Sequence, residues 1–181
     1  GCEDINADTT KLEISVKDDL GNPVENAKVS LFLEYADLQT GADQIGVSLY
    51  TDINGKVLFD NLSPVKYYWF AEKDCQNNYN GGVTTTEALS EGQTNTITSI
   101  ISSTGNLEFE NNSTNPYDVY INGSLTFTAA AGENSILKYR QTGSYTIRVV
   151  QKSGYLLYPT DKSYSGTLNC GETLKTTFPF D

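Results

Sequence analysis

The chain contains no histidine and no methionine. Without an imidazole there is no side chain that titrates near neutral pH in its ordinary state, and the commonest general acid, general base and zinc ligand is missing. Every catalytic triad or metal site built on histidine is thereby excluded. Basic residues are also scarce: 12 Lys and Arg stand against 23 Asp and Glu, giving a net charge of −11. Such a field repels phosphate backbones and anionic headgroups, so nucleic acid is not an expected partner. No run approaches the roughly 20 apolar residues needed to span a bilayer as a helix. There are three cysteines and one tryptophan.

What is present is short alternation. Hydrophobic residues make up 38% of the 181 positions and aromatics 11%, enough to fill a core and too much for a disordered chain. Leu12, Ile14 and Val16 alternate with Glu13, Ser15 and Lys17, the period-two signature of a half-buried strand. Turn residues follow over Asp18 to Pro23, and then Ala27, Val29, Leu31 and Leu33 alternate again. Val47 to Thr51 leads into Asp52-Ile53-Asn54-Gly55, where Asn-Gly predicts a tight hairpin into Val57 and Phe59. Tyr67 to Ala71 and Thr94 to Ile101 add β-prone segments, and no segment carries a helical apolar stripe.

A second series begins near Thr104. It runs through Leu107 and Phe109, then Tyr117, Val119 and Ile121, a turn at Asn122-Gly123, and Leu125 and Phe127; Ile136, then Tyr145, Ile147 and Val149, and finally Leu174, Thr176 and Phe178 complete it. The expectation is an all-β protein of two tandem small antiparallel sandwiches, residues 11–103 and 104–181, preceded by a polar tether over residues 1–10.

Three resemblances extend this reading. Gly1-Cys2-Glu3-Asp4 resembles the processed start of a bacterial surface lipoprotein of the Bacteroidetes type, which implies a lipid on Cys2, export, and a place at the outer membrane or cell surface. Val16-Lys17-Asp18, Gly21 to Val29, Tyr50 to Val57 and Phe59 to Leu62 resemble the carboxypeptidase regulatory-like or Cna-B-like family, which implies a seven-stranded transthyretin-like sandwich. Val119 to Gly123 with Thr142 to Val149 and Gly154-Tyr155 is similar to extracellular PEGA-type repeats. All three imply scaffold or binding modules and neither catalysis nor a cofactor.

Candidate sites follow. Some Cna-B-like domains close a Lys to Asn isopeptide bond; Lys11 or Lys17 with Asn95, near Tyr68 and Glu72, resembles that set, but both lysines fall in the polar register of their strand. Cys75 and Cys170 lie in different strand series, so a disulfide between them would staple the two, and separate thiols are the reading favoured. Asp52 and Asn54 echo the start of a calcium loop without its later ligands, which leaves a plain turn and no metal. The acidic pairs Asp18 with Asp19 and Glu108 with Glu110 fall in turns or on polar strand faces, so no catalytic residue is expected. Asp8-Thr9-Thr10 resembles an O-glycosylation pattern of that phylum. Trp69, Tyr68, Tyr155 and Tyr158 are candidate contact rings for a glycan or a surface protein, with Ala36 to Ile45 and Asp74 to Val83 as contact loops. A fimbria-like subunit is the alternative function, and a carboxylate-dependent glycoside-acting enzyme is the third and least favoured. The chain is expected to be a monomer that meets a membrane only through its anchor.

Overall fold

A computed structural model describes residues 8–82, 85 and 87–179. The chain divides into two compact units, one ending at Ser102 and the other beginning at Ser103. Both are built almost wholly of strands, as the alternation predicts.

In the first unit, β1 (Lys11–Lys17) lies between β4 (Lys56–Phe59) and β7 (Thr94–Ile100). The second sheet runs β6 (Gln76–Asn77), β5 (Tyr68–Lys73), β2 (Lys28–Phe32), β3 (Ile45–Tyr50). Leu12, Ile14 and Val16 from one sheet and Val29, Leu31, Trp69 and Ala71 from the other fill the space between them. Period-two alternation dictates this, since only every second side chain of a strand can face the opposite layer.

In the second unit, the four-stranded sheet is β10 (Ser124–Ala129), β9 (Tyr117–Ile121), β12 (Gly143–Gln151), β13 (Asp161–Leu168). Facing it, β8 (Ser102–Asn111) pairs with β11 (Asn134–Gln141) and β14 (Thr173–Phe178). Leu107, Phe109, Tyr117, Val119, Ile147, Val149, Leu168 and Phe178 make its core. Each unit repeats one device: its first strand pairs with its last in parallel, β1 with β7 and β8 with β14. The chain therefore enters each unit at one end and leaves at the other.

Four expectations need correction. Leu33 is exposed because β2 ends at Phe32. Leu125 is exposed beside a bulge that shifts the register between it and Phe127. Ile136 faces solvent and its neighbour Leu137 packs on the core instead. A six-residue helix, α1 (Tyr35–Thr40), occupies the loop expected after β2; at that length there is too little of it to show a periodic stripe.

The surface carboxylates give the unit pair a one-sided pH response. Asp18 is held below the ordinary aspartate value by the backbone N–H of Asn22, Asp60 by the Thr9 hydroxyl, and Asp161 by the Arg148 guanidinium. Glu110 is lowered by Lys175 and Glu133 by the Ala130 backbone N–H. A carboxylate whose folded value is depressed adds stability that is present above its unfolded value and lost as pH falls through the folded one. Denaturation midpoints are thus expected to be flat from about pH 6 to 8, where no histidine titrates, and to fall below the ordinary values of 3.8 and 4.5. A midpoint that rises on acidification to pH 3 would contradict the assignment.

Candidate functional site

Strand β5 carries the aromatic run, and the pleat splits it. Tyr67, Trp69 and Ala71 turn inward, while Tyr68 and Phe70 turn to the outer face. Trp69 is thus a core residue, 5% exposed, whose indole N–H donates to the Ser99 hydroxyl at 2.9 Å. Its place among the expected contact rings is corrected by that burial.

On the outer face the two contact loops named from sequence meet. Phe32 and Leu38 pack with Tyr68, Phe70 and Tyr79, so α1 from the first loop lies against a ring from the second. Gln39 Nε2 donates to the Tyr79 hydroxyl at 3.4 Å. The Tyr35 hydroxyl also hydrogen-bonds Tyr79, and this bond, with partial burial, pushes Tyr35 above the usual phenol range. The Tyr35 and Tyr68 rings are 5.9 Å apart at 46°, and Lys66 Nζ stands 5.0 Å from the centre of the Tyr68 ring.

The second loop is held by a residue that sequence reasoning passed over. Asn78 is fully buried. Its side-chain oxygen accepts from the Ala71 N–H at 2.8 Å, and its amide donates to the carbonyls of Trp69 at 3.1 Å and Gly82 at 3.4 Å. A buried amide with its bonds satisfied fixes the backbone that carries Tyr79. Val83, the loop's expected end, lies outside the described residues, as does Cys2. The surface offers phenol rings, a primary amide and an ammonium group, which suit stacking and hydrogen bonding to a polyol or peptide. It brings together no nucleophile with a base.

The other candidates separate from it. Tyr155 and Tyr158 stand in the loop after β12, exposed in the second unit. Tyr164 packs on that unit's core. Cys75, in the turn after β5, and Cys170, in the turn after β13, are both disulfide-bonded, so separate thiols, the state favoured from sequence, are not what the structure holds. Asn95 spends its amide on the carbonyls of Lys11, Ser90 and Gln93 at 3.1 to 3.3 Å, an arrangement that braces the start of β7 and leaves no role for it in an isopeptide bond. Asp52 Oδ1 accepts from the N–H groups of Asn54 and Lys56, which makes it a turn residue. Glu110 pairs with Lys175 at 2.7 Å and Glu108 accepts from Asn134. The Thr9 hydroxyl bonds Asp60, and Thr10 is buried with its hydroxyl accepting from the Gly92 N–H. Among the described residues no three metal-binding side chains converge.

No family profile matches the chain, and no curated protein matches it. Among solved structures it is similar to a streptococcal ancillary pilin, at 18% identity and a TM-score of 0.43, over 95% of this chain and 63% of the pilin. It is similar to the Bacillus anthracis TIE protein, at 17% identity and a TM-score of 0.37, over 94% of this chain and 34% of that one. It is also similar to GBS52, the minor pilin of Streptococcus agalactiae, at 15% identity and a TM-score of 0.32, over 93% and 94% of the two chains. The chain thus spans less than two thirds of the first two. The all-β assignment rests on the strands themselves.

Proposed function

We propose that the protein is a non-catalytic, exported surface module whose first unit captures a glycan. The observation that carries this reading is the meeting of the two loops on the outer face of β5, where Tyr35, Tyr68 and Tyr79 stand beside Gln39 and Lys66. Phenol rings cover the apolar face of a pyranose while neighbouring amide and ammonium groups take its hydroxyls. Disulfide-bonded Cys75 and Cys170 support an oxidising, extracytoplasmic location.

Screening the soluble chain on a glycan array tests the reading. Saturable binding is expected, weakened about tenfold by Tyr68→Ala, since the half-buried ring supplies the platform. Binding that is absent, or unchanged in Tyr68→Ala, would remove it. A fimbria-like subunit is the second reading, favoured by β7: it closes its sheet at one edge and carries neither a charge nor a proline from Thr94 to Ile100, so nothing in it blocks pairing with another strand. Concentration-dependent polymers without glycan binding would choose that reading.

A further inference from the structure

The longest run of consecutive exposed large apolar residues among the described residues is a finger in the second unit. Tyr155, Leu156, Leu157 and Tyr158 follow one another between β12 and β13, and they are 44%, 101%, 83% and 84% exposed. Leu156, Leu157 and Tyr158 stand almost wholly in solvent and Tyr155 is partly covered; scattered single apolar residues are the ordinary surface pattern and a contiguous run is not.

The finger is mounted on a closed neck. The Gln151 N–H donates to the Thr160 carbonyl at 2.8 Å, and the Gln151 side chain reaches both the Thr160 N–H and the Ser153 carbonyl. The Lys152 N–H donates to the Pro116 carbonyl at 2.9 Å. Register then places it: Gln151 faces Tyr117, Tyr117 faces Ala129, and Asn111 lies beside Phe178. The finger therefore rises from the pole of the unit at which β14 ends, opposite the pole at which β8 enters.

Net charge in the second unit as a whole is low. Residues 103–181 carry six basic and seven acidic side chains, whereas residues 1–102 carry six basic and sixteen acidic. The acidity that sets the composition belongs to the first unit. Near the finger, Lys152 is met by Asp118 at 3.7 Å, and Arg148 holds Asp161 through two bonds of 2.9 and 2.6 Å. No unbalanced field opposes the approach of a neutral surface.

From this geometry we infer that the Tyr155–Tyr158 finger inserts into the interface of a lipid bilayer with neutral, zwitterionic headgroups. Two leucines at the tip fit the acyl boundary, and a tyrosine on each side fits the headgroup level, where an amphipathic ring is most stable. The protrusion is convex, so it needs a medium that conforms to it. Four side chains supply on the order of 500 Å², short of the roughly 800 Å² that each partner gives to a stable protein interface. This contact is separate from the glycan surface of the first unit and from any lipid on Cys2.

The test is co-sedimentation of the full chain, without lipid on Cys2, with phosphatidylcholine vesicles. Measurable partitioning at millimolar lipid is expected, and it should fall at least tenfold in the double variant Leu156→Ser, Leu157→Ser, because each buried leucine is worth roughly one to two powers of ten in a binding constant. Both side chains are in water already, so the variant should melt where the parent does. Adding anionic lipid should not raise partitioning, because the chain as a whole carries a net charge of −11. Failure of the parent to bind, equal binding by the variant, or a steep rise in binding with anionic lipid would each overturn the inference. So would a dimer that the same double substitution dissolves, since the finger would then be seated on a second copy.

Discussion

Trp69→Ala is expected to destabilise the first unit by about 3–5 kcal/mol, among the largest single losses a side chain in this chain can produce. Trp69 is 5% exposed within a cluster that includes Leu12, Ile14, Val29 and Ala71, and truncating it leaves a cavity that strands fixed on both sides cannot fill. The Ser99 hydroxyl, itself buried, would lose the indole donor that now reaches it. Trp69→Phe separates the two contributions. It keeps most of the ring volume and forfeits the hydrogen bond, and should cost about 1–3 kcal/mol. Urea denaturation followed by circular dichroism measures both without relying on the tryptophan signal. If Trp69→Ala left stability intact and instead weakened glycan binding, the ring would be a contact residue and the core assignment would fail.

Trp69 also shows where sequence was legible and where it was not. Three consecutive aromatics must alternate between faces, so Tyr67, Tyr68 and Trp69 could not all be inside. Alternation does not say which parity is inward when both sets are apolar. The register with β2, where Leu31 faces Trp69 and Phe32 faces Tyr68, settles it. Strand β1 had no such ambiguity, because its polar residues mark the outer parity, and Leu12, Ile14 and Val16 are all fully buried. The contact surface was half legible for a similar reason. Both loops were visible as turn-rich segments, but their meeting at Tyr79 depends on α1 and on the buried amide of Asn78, and neither leaves a periodic trace. The finger was visible only at its two tyrosines. Leu156 and Leu157 look like core residues until the neck between Gln151 and Thr160 is seen to close beneath them.

Two of the three Asn-Gly pairs, Asn122-Gly123 and Asn54-Gly55, divide in the same way. Asn122-Gly123 joins β9 to β10, which pair directly, and both residues take positive φ, 49° and 86°, as a two-residue hairpin of type I′ requires. Asn54-Gly55 was expected to do the same and does not. It joins β3 to β4, which lie in different sheets, and Gly55 has φ 74° while Asn54 is absent from the left-handed region. The dipeptide supplies a permitted backbone angle, and the pairing partners of the flanking strands decide how much of it is used.

That corner carries the other large prediction. Gly55→Ala is expected to cost about 3–5 kcal/mol, the sum of left-handed strain and overpacking against backbone. A Cβ at Gly55 would stand 2.6 Å from the Val16 carbonyl oxygen, 2.9 Å from the Val24 nitrogen and 3.0 Å from Pro23 Cβ. None of these can swing aside as a side-chain tip would. The Val16 N–H donates to the Gly55 carbonyl at 2.7 Å, and the Val24 N–H donates to the Val16 carbonyl at 3.0 Å, so relieving the clash means pulling the corner off β1 and taking Val57 with it. Gly21 is the control. Its φ of 87° is as unfavourable for alanine, but a Cβ there meets nothing within 4 Å. Gly21→Ala should therefore lose only the conformational part, about 1–2 kcal/mol, and the gap between the two variants in urea midpoint isolates the cost of crowding. Equal losses at the two positions would mean that the corner yields freely, and that the packing of Gly55 on β1 does not hold the two sheets of the first unit in place.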